Sequence, residues 1–406
     1  MFKNSRVITG LDIGTDSIKT LVAVREKEDS ELEVLAQIIK PCSGVRKGVV
    51  VKPEKVSEEI RSSIDEALIS SGQKINSVYS NINGSHFKIV PSRGVIAVSR
   101  ADREISQEDI ERVIQNAQTI SLPSNEEIID VYPKEFIIDD ESGIKEAVGM
   151  KGTRLEADVL LLCVFSPYLQ NLTKSITGAG FQINNIQSSP IAAARAVLTP
   201  QQKELGVVLI DIGADTTGMA VFEEENLIHA AIFPIGSNNI TKDVAICLKC
   251  DFDLAEKIKR DFGTCNLRGV GEKQKRSKSK IKATDSLSFS RKLLSGVIEA
   301  RVSEIFDQVN KELKKISRQK LLPAGIVITG GGARLPKIVD LAKKELKLPC
   351  RIGRPRGFIG LNGDPTLATV CGLVLSGVDS EREEGFSDLG RGITDKLKGF
   401  FRIFIP

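Results

Sequence analysis

The sequence predicts an α/β protein of two domains, and a duplicated β-hairpin is the main reason. The pentapeptide L-D-I-G-T at 11–15 recurs in altered form as I-D-I-G-A at 210–214. Each copy lies between two strand-like apolar runs separated by a few turn residues, which is the pattern of a hairpin. A third element at 324–342 combines an apolar run, three glycines and an amphipathic helical pattern. At 406 residues, the chain also exceeds what one hydrophobic core usually serves.

The hairpin turns suit a polyphosphate and a metal ion. Gly14 and Gly213 allow main-chain N–H groups to close around an anion. Asp12 and Asp211 stand at the mouths of the hairpins. There they can hold Mg²⁺ through its water molecules, because Mg²⁺ keeps most of its hydration shell. One such turn could equally be only a tight hairpin, but two copies that face each other predict a phosphate clamp.

The third element predicts a pocket for a planar base. Gly330, Gly331 and Gly332 carry no side chains that would keep a base and its sugar from the backbone. The start of the following helix favours negative charge. The alternative is an ordinary turn between a strand and a helix. Together with the two hairpins, this element predicts a nucleotide held between two domains.

Composition excludes several classes of function. The net charge of +4 is too small to imply nucleic-acid binding, so no nucleic-acid partner is expected. The seven cysteines form no disulfide framework and no secretory signal precedes Val7, which predicts a cytosolic chain with reduced thiols. The only histidines, His86 and His229, are far apart in the sequence, which argues against a histidine-based catalytic centre.

The remaining segments predict helices, an insertion and a basic loop. Apolar periodicity predicts a helix over 56–71 and helical segments over 239–260 and 287–316. Between about 83 and 163, strand and helix signals without a phosphate motif predict an inserted α/β module, whose helix near 105–119 is opened by Ser106. The segment 271–282 carries six basic residues and one acid. It predicts a solvated loop, with contact to an anionic partner as the alternative.

Four further segments give the chain a family resemblance. They are K-G-V-V-V at 47–51, the insertion after N-I-N-G-S-H at 81–86, G-I-K-E-A-V-G-M-K-G-T-R-L-E-A-D-V at 143–159, and R-K-L-L-S-G-V-I-E-A-R-V-S-E-I at 291–305. With the two hairpins, they resemble the FtsA family of bacterial cell-division proteins, within the actin and sugar-kinase ATPase superfamily. The resemblance runs from about Val7 to Val378.

The resemblance implies an actin-like two-domain ATPase fold with an inserted α/β subdomain. The implied subdomains are IA at 1–83, continued by 166–205 and 366–378; the inserted IC at 84–165; IIA at 206–240, continued by 322–365; and IIB at 241–321. A flexible linker is expected at 379–390 because this segment is acidic and contains two glycines. A C-terminal amphipathic helix is expected at 391–406.

The resemblance also implies that the chain binds ATP and Mg²⁺. The implied nucleotide contacts are Asp12, Gly14, Thr15, Asp16, Ser17 and Lys19 in the first hairpin, Asp211, Gly213, Thr216 and Thr217 in the second, and Gly330, Gly331, Gly332 and Arg334 in the adenosine motif. Asp12 and Asp211 are expected to hold Mg²⁺ through water. Glu256 and Lys259 match the pair that holds the ribose, and a plain surface ion pair is the alternative.

Four positions that depart from the family pattern concern hydrolysis. The second hairpin of the family usually reads D-I-G-G-G-T-T-D, and here Ala214, Asp215 and Gly218 replace two glycines and the closing aspartate. Asp215 could add a carboxylate to the metal site or repel the terminal phosphate. Ser189 precedes Pro190 where many actin-like ATPases carry an acid. We therefore assign no catalytic residue and expect ATP binding with weak or no ATPase activity.

The resemblance further implies the partners. Family members polymerise into filaments, tether the tubulin-like division protein FtsZ to the cytoplasmic face of the cell membrane and recruit later division proteins at the septum. By resemblance, 241–321 is expected to bind the C-terminal tail of FtsZ. Basic residues near Lys292 and Arg301 would suit the acids of such a tail.

The segment 391–406 predicts a peripheral membrane anchor. At about 100° per residue, one helical face collects apolar side chains and the opposite face collects basic ones. The apolar residues are Ile393, Leu397, Phe400, Phe401 and Phe404, and the basic ones include Lys398 and Arg402. The segment is too short to span a bilayer, so we expect it to lie reversibly on an anionic membrane surface. The alternative is a helix that packs back on the folded body.

Three other functions remain open. An enzyme of the sugar-kinase type would need a substrate carboxylate in the cleft and gives no role to the terminal helix. A pilus-assembly relative, also actin-like, would act at the membrane through protein partners. A non-enzymatic adaptor that no longer binds ATP would account for the altered second hairpin. The match at 143–159 and the terminal segment favour the division family.

Overall fold

The computed structural model describes residues 7–25, 30–265, 281–282 and 288–387. The strands are β1 Val7–Ile13, β2 Ser17–Val24, β3 Leu32–Pro41, β4 Val45–Arg46, β5 Val49–Val50, β6 Ser77–Ile82, β7 Lys88–Ala97, β8 Glu126–Ile138, β9 Glu141–Ile144, β10 Arg154–Phe165, β11 Gln182–Ser188, β12 Val207–Ile212, β13 Thr217–Glu223, β14 Asn226–Phe233, β15 Ile281–Lys282, β16 Ser288–Phe289, β17 Gly325–Thr329, β18 Cys350–Ile352 and β19 Phe358–Ile359. The helices are α1 Pro53–Ser71, α2 Gln107–Ala117, α3 Ser166–Gly178, α4 Ser189–Val197, α5 Pro200–Leu205, α6 Ser237–Leu248, α7 Phe252–Phe262, α8 Arg291–Lys315, α9 Ile338–Leu346 and α10 Ala368–Ser387.

The first lobe is built on a six-stranded sheet. Its strand order is β11-β6-β1-β2-β3-β19. The first predicted hairpin is the antiparallel pair β1–β2, which places Asp12 opposite Lys19. Helix α1 packs on β2 and β3, and it buries Val56, Ile60 and Ile64 completely. This helical spacing of buried residues is the pattern that predicted the helix.

The second lobe is built on a five-stranded sheet. Its strand order is β14-β13-β12-β17-β18. The second predicted hairpin is the antiparallel pair β12–β13, which places Asp211 opposite Gly218. Strand β17 runs parallel to β12 and leads directly into the glycine element. Helices α6 and α8 pack together through a separate core that includes Ile240, Val302 and Phe306.

The predicted inserted module is a four-stranded antiparallel sheet covered by one helix. Its strand order is β7-β10-β8-β9, and α2 packs on β7 and β10. Ser106 is the N-cap of α2 and forms a capping box with Asp109. Gly94 allows α2 to pack closely on β7, because a Cβ there would lie 2.1 Å from the carbonyl oxygen of Val113.

Helices α4 and α10 cross between the lobes. Helix α4 follows β11 of the first lobe and also contacts β12 and β13 of the second lobe. At the crossing, a Cβ on Gly372 would lie only 1.7 Å from the carbonyl oxygen of Ala192. Only glycine permits this separation of the two helix backbones.

Several predicted segments differ from the structure. The helical segment predicted over 239–260 is two helices, because Lys249 adopts a φ of +54° and the Asp251 side chain caps α7. Helix α10 continues to Ser387, so 379–387 is helical rather than a linker. That stretch has no proline, and its one glycine, Gly385, costs a helix only about 1 kcal/mol.

Two sequence predictions fall largely outside the described residues. The basic loop at 271–282 is described only at Ile281 and Lys282, which pair with β16 as strand β15. The anchor predicted at 391–406 lies wholly outside the described residues. Within the described ranges, no helix is long and apolar enough to cross a membrane.

Candidate nucleotide site

The two hairpins and the glycine element surround one cavity between the lobes. Its volume is about 560 Å³, which lies within the range of about 300–1,000 Å³ that is usual for small-molecule sites. Most of the predicted nucleotide contacts line it: Asp12, Gly14, Thr15, Asp16, Ser17, Lys19, Asp211, Gly213, Thr216, Glu256, Lys259, Gly330, Gly331 and Arg334.

Two predicted contacts face the packed interior instead. The Thr217 hydroxyl donates a hydrogen bond to the carbonyl oxygen of Ile235 at 2.8 Å, and the residue is fully buried. A Cβ on Gly332 would lie 2.3 Å from Cγ2 of Ile212, so this glycine allows the chain to pack on β12. Each residue is part of a predicted nucleotide motif, but in the structure each packs against neighbouring residues of the protein and does not line the cavity.

Asp12 is held by a cation and an amide. Lys19 Nζ lies 2.7 Å from Asp12 Oδ2, and Asn81 Nδ2 donates to Asp12 Oδ1 at 2.9 Å. Burial opposes the charged form of Lys19, but Asp12, Asp211 and Asp16 raise its pKa. Lys19 therefore stays a cation at neutral pH. Sequence reasoning missed Asn81 as a site residue, because the segment 81–86 served there only to mark the family resemblance.

Asp211 lacks the matching cation. Its neighbour across the hairpin is Gly218, and a Cβ there would lie 3.0 Å from Cβ of Pro190. The family's closing aspartate would therefore crowd the start of α4. Burial and the nearby Asp12 raise the pKa of Asp211 to about 6. A divalent cation between the two carboxylates would relieve their repulsion.

Asp215 does not line the cavity that Asp12 and Asp211 line, so neither of the two roles that the sequence suggested for it gains support. Its carboxylate accepts hydrogen bonds from the main-chain N–H of Lys47 at 3.3 Å and from Asn238 Nδ2 at 2.9 Å. Both donors lie outside the hairpin, and Asp215 lines a different cavity. The side chain therefore lies away from the cavity that most of the predicted nucleotide contacts line.

Two ion pairs also line this cavity. Lys259 Nζ lies 2.6 Å from Glu256 Oε2 and also donates to the hydroxyl of Thr241 at 2.8 Å. Arg334 forms an ion pair with Asp364, and both residues line the cavity. Glu256 and Lys259 thus form an ion pair, but Lys259 is buried and both residues line the cavity, so this is not the exposed surface pair of the alternative interpretation. Asp364 comes from a loop that no sequence motif marked.

The charges of the lining favour a metal with the phosphates. The described part of the lining holds five acids (Asp12, Asp16, Asp211, Glu256 and Asp364) against four cations (Lys19, Lys259, Arg260 and Arg334). A polyphosphate would add further negative charge, and a divalent cation would balance it. In the described part of the chain, no cluster of three or more His, Cys, Asp or Glu residues could hold a metal by itself. The residues present fit Mg²⁺, which uses one or two carboxylates, water and phosphate oxygens.

Ser189 occupies the position where many actin-like ATPases carry an acid. Its hydroxyl accepts a hydrogen bond from Asn81 Nδ2 at 3.0 Å and donates one to the carbonyl oxygen of Ile82 at 3.2 Å. The residue is almost completely buried. A neutral hydroxyl with both roles filled does not act as a base towards water.

Solved structures with this arrangement define the class of protein. A PilM–PilN type IV pilus biogenesis complex matches over 91% of this chain and 98% of that chain, with a TM-score of 0.66 and 16% identity. MreB5 of Spiroplasma citri bound to ADP matches over 97% and 100%, with a TM-score of 0.55 and 12% identity. The fold is therefore that of actin-like ATPases.

Sequence relatives identify the family within this class. A family model for cell division protein FtsA matches 208–372, and one for the SHS2 domain inserted in FtsA matches 84–163. FtsA of Pseudomonas aeruginosa is 35% identical over 386 residues, which cover 94% of this chain and 91% of the relative. FtsA of Bacillus subtilis is 34% identical over 382 residues, covering 94% and 86%. The chain belongs to the FtsA family of cell-division proteins, and the predicted family and fold class are confirmed.

Proposed function

We propose that the chain binds ATP with Mg²⁺ and acts as a polymerising cell-division protein at the cytoplasmic face of the membrane. One observation carries the nucleotide part: both hairpins and Gly330–Gly331 converge on one cavity. Asp12 and Asp211 hold Mg²⁺ through water, Lys19 faces the phosphates, and Glu256 with Lys259 holds the ribose. The proposal also includes the subdomain boundaries that the family resemblance implies for IA, IC, IIA and IIB.

Within this proposal, ATP is a structural ligand more than a substrate. Bound between hairpins from different lobes, it favours the closed arrangement of the lobes by contacts that the open arrangement lacks. Ser189 offers no base for water, so turnover is weak or absent. A filament of closed protomers then presents many copies of the terminal segment to the membrane.

The proposed membrane contact is the amphipathic segment 391–406. Each of the five apolar side chains contributes about 1.5–3 kcal/mol of binding free energy when it is buried in the lipid, before ordering costs are counted. Each basic group adds about 1 kcal/mol near anionic lipid. Helix formation and immobilisation offset much of this. One anchor is therefore weak, and several along a filament hold firmly through avidity.

The proposed partner is the C-terminal tail of FtsZ, bound by 241–321, with later division proteins joining the assembly. Of the two cations considered for this contact, Arg301 is less suited to it than Lys292. Arg301 Nε and NH2 donate to the Asp243 carboxylate at 2.6 and 3.0 Å, so its charge is used between α6 and α8. Lys292 is exposed at the start of α8, and it remains the better candidate for an acidic tail.

Phe401→Glu tests the membrane function directly. The substitution puts a carboxylate on the apolar face, and burying it unpaired costs several kcal/mol. It should abolish co-sedimentation with anionic liposomes and leave the melting temperature of the folded body nearly unchanged. Gly399→Glu is the matched control, because it adds the same charge on the opposite face and should retain most of the binding. Retained liposome binding with a lowered melting temperature in Phe401→Glu would instead indicate a helix packed on the body.

A further inference from the structure

A second cavity lies on the other side of the second phosphate hairpin. Its volume is about 720 Å³, and both lobes line it. Asp215 of the hairpin faces this cavity, whereas its neighbours Ala214 and Thr216 line the nucleotide cavity. The hairpin is therefore a shared wall between the two spaces.

The charged lining of this second cavity is mainly basic. Among the lining residues that the structure describes, Arg46, Lys47 and Lys242 contribute three cations, and Asp215 is the one acid. Asp215 accepts from the Lys47 main-chain N–H and the Asn238 amide rather than from a cationic side chain. None of the three cationic side chains has an ion pair or hydrogen bond with any residue that the structure describes. The lining therefore has an unbalanced charge of about two positive units.

The main chain that carries the two cations of the first lobe is tightly packed. Lys47 and Gly48 form the turn between β4 and β5, with φ of +48° and +79°. The Gly48 N–H donates to the hydroxyl of Thr15 at 3.1 Å. A Cβ on Gly48 would lie 3.0 Å from Gly84 N and 3.1 Å from Cγ2 of Thr216. The turn is thus wedged against both phosphate hairpins, which fixes the backbone of Arg46 and Lys47.

An aromatic pair forms a neutral part of the wall. The rings of His86 and Tyr168 lie 4.9 Å apart. His86 Nδ1 accepts the Phe165 N–H at 3.2 Å, and Nε2 lies 3.0 Å from the carbonyl oxygen of Asn83. These partners require a neutral ring with the proton on Nε2. His86 therefore adds no fourth cation to the cavity.

We propose that this cavity binds a small oxyanion of about two negative charges, a phosphate or a phosphate ester. Arginine and lysine side chains are the usual donors to such groups, and the unbalanced charge matches a dianion. Arg46 and Lys47 come from the first lobe and Lys242 from the second, so the bound anion bridges the lobes. If the nucleotide function proposed above also holds, both ligands favour the closed arrangement and each strengthens the binding of the other.

A single tryptophan can report on the cavity. The chain contains no tryptophan, so Tyr168→Trp introduces the only indole, in the cavity wall. Titration with inorganic phosphate at constant ionic strength, without nucleotide, should change its emission saturably, and chloride should not. Lys242→Glu in this background should weaken phosphate binding at least tenfold. Lys257→Glu, which changes another exposed lysine, on α7, should leave it unchanged.

Different results would contradict the position of the anion, the existence of the site and its coupling to ATP. An emission change that persists in Lys242→Glu would place the anion elsewhere, and the absence of a saturable change would overturn the site. If Tyr168→Trp does not fold, ³¹P line broadening of phosphate by the unmodified chain, compared with Lys242→Glu and Lys257→Glu, gives the same comparison. Glycerol phosphate in parallel separates a free phosphate from an ester. A phosphate affinity that ATP and Mg²⁺ leave unchanged would overturn the coupling alone.

Discussion

At the residue scale, one position gives the aspartates of the two hairpins different partners. Lys19 faces Asp12 in the first hairpin, and Gly218 faces Asp211 in the second. One carboxylate is therefore neutralised by a fixed cation, while the other has no cation opposite it in the hairpin. The motifs predicted both aspartates, because a duplicated pattern is visible in the sequence. They could not predict Asn81 or Thr369, which reach the aspartates from strands and helices far along the chain.

Asp211→Asn should stabilise the ligand-free protein. A carboxyl with a pKa of about 6 instead of 3.8 carries an ionisation cost of at most ~3 kcal/mol. Because the pKa is raised, this cost is fully present above about pH 6 and disappears as the pH falls towards 3.8. The variant should melt a few degrees higher than the parent at pH 8, and the difference should shrink at pH 5. Asp253→Asn, an exposed control, should show neither effect; equal melting of Asp211→Asn and parent at pH 8 would contradict the account.

At the element scale, caps decide where helices begin and end. The spacing of Ser106 and Asp109 allowed the start of α2 to be predicted, because the capping box is local in sequence. The break between α6 and α7 could not be predicted from periodicity, since the apolar pattern continues through it. There the left-handed Lys249 and the Asp251 cap decide the outcome. The helical stretch 379–387 was missed because acids and glycines suggested a linker, although one glycine alone does not end a helix.

Asp109→Ala should weaken the inserted module. Burial raises the pKa of Asp109, but hydrogen bonds from Ser106 and Ser99 outweigh it and lower the value to about 2. Loss of these bonds should cost ~2 kcal/mol. Because the pKa is lowered, this stability is present above about pH 3.8 and is lost as the pH falls towards 2. Hydrogen exchange in β7 and β10 should be faster in the variant at neutral pH.

The matched control is Glu108→Ala, because Glu108 is the exposed neighbour in the same helical turn. It should leave exchange in β7 and β10 near the parent rate. Equal exchange in Asp109→Ala and Glu108→Ala would show that the capping box adds no stability to the module.

At the scale of the whole molecule, contacts between distant segments fix the arrangement of the lobes. Duplicated hairpins predicted two lobes, but nothing in the sequence predicted that α4 and α10 would cross at Gly372. The module also touches the second lobe. Asn226 Nδ2 donates to the Lys134 carbonyl at 3.2 Å, and Lys145 Nζ donates to that of Glu224 at 3.1 Å. Such contacts depend on three-dimensional packing, so no local pattern marks them.

Gly372→Ala should destabilise the whole protein. Its Cβ would meet the Ala192 carbonyl at 1.7 Å, so α4 and α10 must move apart at a cost of ~3 kcal/mol or more. Gly296→Ala is the control, because that glycine is exposed within α8 and a Cβ there meets nothing within 4 Å. This change should stabilise the protein by ~0.5–1 kcal/mol. Thermal unfolding of both variants measures the difference, and similar melting temperatures would contradict the close crossing.

The central claim is that two carboxylates and a metal hold a nucleoside triphosphate between the lobes. Titration of ATP and of adenosine, each with Mg²⁺ and with a chelator, tests it most directly. Mg²⁺ should strengthen ATP binding by at least an order of magnitude and leave adenosine binding unchanged, because only the phosphates reach the metal. Asp211→Ala should remove most of the Mg²⁺ effect. ATP that binds equally tightly with the chelator, or does not bind at all, would contradict the account.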